Sequence, residues 1–267
     1  MLDSVTEQTS RTSPSEKSAR ECVFCGGKAG SREHVFPNWL NEIFPQSQIG
    51  ETTVTLDNQL TDGSSEHREF KARQAANLTV KEVCHDCNTG WMANLEGQVR
   101  PLMAPMTIGQ SSQLTLSEQL TLAAWAIKTA VTLELSARPS RSFKPAQCHF
   151  LRVNGYPPAG VSVHAATYSG NEGPFTYFHG EMTRVDDHVT ISFHTIQVGN
   201  LVLQVSLYDP PSSNAQLLAL ESSSSKYDVP VYPPIEKWRW PGSGTSVLDD
   251  SLLDSYAKRF WELSVRR

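Results

Sequence analysis

Apolar positions are almost absent from residues 1–19, a run of Ser, Thr, Glu and Lys with too little hydrophobic surface to offset the entropy of ordering it. This segment reads as a disordered tail. Beyond it, PNWLNEIF has the pattern of a short helix. TTVTLDNQL and EHREFKARQ alternate in part and flank the turn-rich TDGSS, which predicts a hairpin. The run NLTVKEV predicts a strand. CNTGWMANLEGQVRPL then predicts a helix that Asn88 caps and that ends near Pro101.

From Thr115 the spacing becomes helical. Leu120, Ala124, Ile127, Val131 and Leu135 share one face, and Leu122, Trp125 and Leu133 widen it, so this helix is buried on most sides. Thr-Leu-Ser-Glu at its start fits a capping box, and RPSRSFKP ends it. Lys128, with Thr121 and Thr132, marks its polar strip. Between Cys148 and Asp209 the period falls to two in VSVHAATY, FTYFHGEM, HVTISFHTI and NLVLQVSLY, which turn residues separate. These runs predict an antiparallel sheet. Ser222 to Ser225 marks a loop, VPVYPPIEKWRWPG an extended crossing and LDDSLLDSYAKRFWEL a closing amphipathic helix. The expected class is α+β, with a tail at 1–19, a module at 20–105 and an α+β C-terminal region at 106–267.

The chain has 267 residues and 39% hydrophobic content, enough for a substantial core. No apolar run approaches the length of a membrane span, and the N-terminus lacks the apolar block of a signal peptide, so the expected location is the cytoplasm. The formal net charge is −5, and Arg20 to Pro105 carries 8 Lys plus Arg against 11 Asp plus Glu, so the balance gives no global mark of a nucleic-acid binder. A phosphate-binding surface would have to be local, drawn from Arg32, Lys71, Arg73, Lys81 and Arg100.

Four of the five cysteines form two C-x-x-C pairs, Cys22/Cys25 and Cys84/Cys87, with 58 residues between the pairs. Four soft ligands close a tetrahedral zinc site, which makes it structural rather than catalytic. Gly26 and Gly27 after the first pair, and Asn88 and Gly90 after the second, supply the turns. Cys148, in AQCHFLRV, reads as a small core residue.

Between the two pairs lies Glu33-His34-Val35-Phe36-Pro37, and Asn88 directly follows the last cysteine. EHVFP resembles the D/E-H-h-h-P signature of HNH endonucleases, h being apolar, and VCHDCNTGW resembles their C-x-x-C-H/N-x-x-x segment. The resemblance covers roughly Cys22 to Glu96, less than a third of the chain. The wider arrangement is similar to bacterial HNH-annotated proteins of little-known biology, in which a helix like LAAWAIKTA and Trp-Pro segments follow the motif.

The resemblance implies a ββα-metal nuclease module over residues 20–105, with the hairpin inserted. It implies that His34 is the general base, and that Glu33 and Asn88 hold a catalytic Mg²⁺ or Mn²⁺. It makes nucleic acid the partner, DNA ahead of RNA, with anti-phage defence as a setting and unidentified protein partners besides. An imidazole titrates near neutrality and can take a proton from water, and a hard divalent ion can offset charge on a scissile phosphate.

The family's middle Asn falls where this chain has Thr79 and Val80. Asn77 is about two residues out of register, and a backbone carbonyl is the alternative for orienting His34. Glu33 stands where many members have Asp, and the longer side chain moves a metal outward. Glu96, about two turns beyond Asn88, and Arg32 are candidate supporting residues, while a solvent-facing role suits Glu96 equally.

Blander readings stay open. His34 can be a structural histidine or a zinc ligand, Asn88 only a helix cap, and His85 and Asp86 solvated knuckle residues. Trp91 packs its helix onto the strands, and Trp125, Trp238, Trp240 and Trp261 either pack in the core or stack on unpaired bases. Two rival functions follow: a non-catalytic zinc-stabilised module that binds nucleic acid or protein, and an RNase toxin.

Overall fold

The computed structural model describes residues 20–45, 52–59, 65–72, 78–137, 141–171, 173–183, 189–209 and 226–260. The tail, Arg73, Asn77, Ser222 to Ser225 and Trp261 lie outside these residues. With 37% of the chain helical and 31% in strands, and every described strand pairing antiparallel, the fold is α+β rather than α/β.

β1 (Ser31–His34) leads into a short helix α1 (Leu40–Ile43). β2 (Thr52–Gln59) and β3 (Ser65–Ala72) form the hairpin, and β4 (Thr79–Val83) returns to pair with β1, placing Glu33 opposite Val80 and His34 opposite Thr79. A bulge between Ser31 and Glu33 bends β1 just before Glu33. After β4 comes a helical turn, His85–Cys87, then a π-type turn, Asn88–Met92, kinked at Gly90, and then helix α2 (Ala93–Thr107).

Two expectations are corrected here. Helical winding begins three residues before Asn88: Cys84 is the cap, its Sγ accepting from Cys87 N at 3.4 Å. The helix also runs past Pro101 to Thr107 with Pro101 and Pro105 inside it. Proline strains a helix interior, but Val99, Met103 and Met106 on the opposite face are fully buried, and that packing holds the extra turns.

β5 (Ser112–Leu114) precedes α3 (Leu116–Ala137). The capping box is present: Glu118 N donates to Thr115 Oγ1 at 3.3 Å, and Thr115 N donates to Glu118 Oε2 at 2.8 Å. The Cys148 segment is helical rather than part of the strand-rich stretch. It forms α4 (Pro145–Asn154), with Pro145 in the first turn and Gly155 in the left-handed conformation at the end.

Strands β6 (Val161–Thr167), β7 (Phe175–Thr183), β8 (Thr190–Val198), β9 (Leu201–Asp209) and β10 (Asp228–Tyr232) make one sheet in the order β10-β6-β9-β8-β7. The β2–β3 hairpin lies against β7 and covers that edge. β11 (Trp238–Trp240) pairs with β5, and α5 (Asp250–Ala257) follows it, capped by Asp249.

Helix α3 is the central element, touching α2, β4 and strands β8 to β10. Trp125, Lys128 and Thr132 are fully buried, so the polar strip faces inward at Lys128 and Thr132, while Thr121 is half-buried. One continuous apolar core joins Cys22, Phe36 and Val99 to Trp125, Val163 and Trp240, crossing the 105/106 boundary. Gly199 sits where the sheet meets the end of α2. Its φ is +57°, and a Cβ there would meet Thr107 O at 2.1 Å, so only glycine fits. Among the described residues no helix is long and apolar enough to cross a membrane.

Candidate metal centre

The first knuckle folds because Gly26, at φ +74°, lets its amide donate to Cys22 O at 2.8 Å while Cys22 N donates to Gly27 O at 2.7 Å. Gly27 N then points at Cys25 Sγ at 3.4 Å. Val23 N donates to Glu82 O, docking this knuckle beside the second.

The four sulfurs of Cys22, Cys25, Cys84 and Cys87 lie within 4.8 Å of one another, with Cys25 and Cys84 at 3.6 Å. A zinc tetrahedron with bonds of about 2.3 Å has sulfur–sulfur edges of about 3.8 Å. The cluster can therefore hold a metal such as zinc.

The electrostatics agree. Burial works to raise the Cys22 thiol, yet the backbone amides of Cys84, Phe24 and Cys25 bring it below its ordinary value. Burial and then the neighbouring Cys84 push Cys87 well up, and burial raises Cys25. Four thiolates at this spacing need a cation to coexist. Phe24, fully buried, meets the Trp91 ring edge-on at 5.0 Å, so Trp91 packs the π turn onto the clamp.

Asn88 follows the clamp. Its Nδ2 donates to Ser31 Oγ at 2.8 Å and to Arg32 O at 2.9 Å, tying the second knuckle to the strand that carries His34. Glu33 points the other way, into the core, 3% exposed. There Lys128 Nζ lies 2.7 Å from Glu33 Oε1 and 2.8 Å from Glu96 Oε1, and donates to His34 O at 3.3 Å. Burial disfavours the ammonium, but Glu96 and Glu33 outweigh it and keep Lys128 charged. Burial pushes the Glu33 carboxyl up against the pull of Lys128.

Glu33 does not offer a ready seat for the divalent ion that the resemblance implies: its carboxylate is buried and paired with Lys128, while Asn88 Nδ2 is bonded to β1. Glu96 is held by the same lysine rather than by solvent. The signal for this contact was a lysine in an otherwise apolar helix, because a buried ammonium requires carboxylates.

His34 is half-buried on β1, with Arg32 exposed two residues before it. His85 and Asp86 are exposed. Of the basic patch, Arg32 and Lys81 are exposed, and Arg100 pairs with Glu42 at 2.7 Å. Trp125, Trp238 and Trp240 are core residues, 0–1% exposed, and cannot stack on bases. Cys148 is buried, and burial, with the Glu134 carboxylate next, pushes its thiol up to about 12, which keeps it neutral.

Compared with protein-family models, with curated proteins and with solved structures, the chain gives no match.

Proposed function

We propose that the protein is a nuclease of the HNH type that hydrolyses phosphodiester bonds of nucleic acid, DNA ahead of RNA. The observation that carries this reading is the Asn88 amide bonded to Ser31 and Arg32. Through it the residue after the second knuckle meets the strand holding His34, so the separated motif pieces converge where the cysteine clamp closes.

In this reading His34 is the general base. Lys128, bonded to the His34 carbonyl and the Glu33 carboxylate, is a positioning residue that fixes the strand behind it. Exposed Arg32 and Lys81 supply local positive charge in an acidic chain. Zinc would hold strand and helix in register without touching substrate.

A second reading is favoured by one observation, the neutralised Glu33. With that carboxylate committed to Lys128, the module would be a non-catalytic zinc-stabilised surface that binds nucleic acid or protein.

The test is purified protein with plasmid DNA in Mg²⁺ or Mn²⁺, beside His34→Ala and a parallel RNA substrate. Cleavage by the parent and a loss of about 100-fold or more in His34→Ala is expected. Equal cleavage by both removes His34 as base. Absence of cleavage by the parent, with plasmid retarded on a gel, favours the binding module, and cleavage of RNA alone points to an RNase.

A further inference from the structure

Another buried polar cluster lies on the other side of α3. Glu134, His179 and His194 are each 1% exposed or less. His179 on β7 and His194 on β8 are direct cross-strand partners, so both side chains leave the same face of the sheet, the face that packs on α3. Glu134 comes down from α3. Both imidazole Nε2 atoms lie 3.7 Å from the same Glu134 Oε1, and ligand atoms of all three residues lie within 4.8 Å of one another.

Ser142 completes the group. Its Oγ is 3.2 Å from His179 Nε2, and its amide donates to both carboxylate oxygens of Glu134, at 3.0 and 3.2 Å, which fixes the carboxylate plane.

We propose that Glu134, His179 and His194 form a second metal site, for a divalent transition ion such as zinc, closed between α3 and the five-stranded sheet. At 3.7 Å the two Nε2 to Oε1 separations are too long for hydrogen bonds. They approach the edge of about 3.4 Å expected between nitrogen and oxygen ligands of a tetrahedral zinc with bonds of about 2.0–2.1 Å. Ser142 Oγ, hydrogen-bonded to His179 Nε2 at 3.2 Å, would give up that bond when the ion takes the nitrogen.

The outer partners agree as well. His194 Nδ1 is 2.9 Å from Tyr177 OH, the kind of bond that orients a metal-bound imidazole and leaves Nε2 to the ion, and Phe143 stacks on the His194 ring at 5.7 Å. Two imidazoles and one carboxylate also suit iron where coordination positions stay open, but the three ligand residues here are buried, so the role is structural. The ion would pin the C-terminal part of α3 to β7 and β8.

This proposal does not depend on nuclease activity. The full chain, expressed with zinc supplied, is measured for all first-row metals, beside His179→Gln/His194→Gln and Cys25→Ser/Cys84→Ser. About two zinc ions per chain are expected for the parent and about one for each variant. A histidine variant that keeps the full parental content overturns the proposal.

Because a double variant can fail to fold, zinc-edge X-ray absorption on the parent decides independently. A mixed shell of sulfur near 2.3 Å and nitrogen or oxygen near 2.0 Å is expected. A pure sulfur shell overturns the second site and leaves the cysteine clamp standing, and a pure nitrogen and oxygen shell does the reverse. A parent without metal overturns both.

Discussion

Helix α3 carries two buried polar clusters that meet the same problem in different ways. Lys128, on the side facing β1 and α2, brings its own cation to Glu33 and Glu96. Six residues further on, Glu134 faces the sheet and is surrounded by imidazoles and the Ser142 amide. The Lys128 ammonium is carried by the chain itself and kept charged by its two carboxylates. Imidazoles are neutral or charged according to pH, and they also serve as metal ligands. The first cluster carries its cation on the chain, and the second has donor chemistry suited to an ion. The difference teaches that a buried carboxylate is informative mainly through the groups that answer it.

The sharpest way to break the comparison is at Lys128. Lys128→Met leaves Glu33 and Glu96 facing each other with the ammonium gone, and an uncompensated buried charge costs about 3–5 kcal/mol. Urea unfolding should show that loss, and adding Glu33→Gln should recover part of it, because the repulsion and the buried charge disappear together. A loss below about 1 kcal/mol would mean that the two carboxylates simply take up protons, and that the lysine does little to fix the His34 strand.

A third buried histidine sharpens the contrast. His164 on β6 is 1% exposed, and neither ring nitrogen has a hydrogen-bond partner. Burial lowers it to about 4 from the ordinary 6.5, although Asp228 pulls the other way. A depressed histidine is neutral when folded and takes up a proton when unfolded, so its native environment is harmless above pH 6.5. Stability then falls as pH drops from 6.5 toward 4, by about 3 kcal/mol in all, at 1.36 kcal/mol per pKa unit.

His164→Gln should flatten that acid limb of the stability curve in this window. Unfolding free energies measured at intervals from pH 7.5 to 4 test this, and an unchanged limb in His164→Gln would refute the assignment.

Local signals were legible where local physics decides them. The four alternating runs became β6 to β9, Thr-Leu-Ser-Glu became the capping box, and the paired C-x-x-C motifs became one sulfur cluster. Contacts made at long range were not legible. Lys128 meets Glu33 across the whole length of the module, and Glu134 meets His179 and His194 only because α3 lies on that face of the sheet.

Proline misled once. Pro101 reads as a stop, but the buried face of α2 overrides it. Parity offered one unused clue. His179 has the register of Tyr177, and His194 that of Ile196, so both histidines fall on core-facing positions, where a polar side chain needs a partner.

The smallest expected effect tests whether the two clusters depend on α3 as a rigid support or only on their own contacts. Thr115→Ala removes the side-chain acceptor of the capping box, between three and four turns ahead of Lys128, and should cost about 1 kcal/mol. Fraying from a lost cap dies out within about a turn. Metal content and the acid limb at His164 should therefore match the parent while the urea midpoint falls. If metal content also falls in Thr115→Ala, the helix transmits its end to its buried side chains. The two clusters would then be coupled through α3 rather than held separately by Glu33 and Glu96 on one side and β7 and β8 on the other.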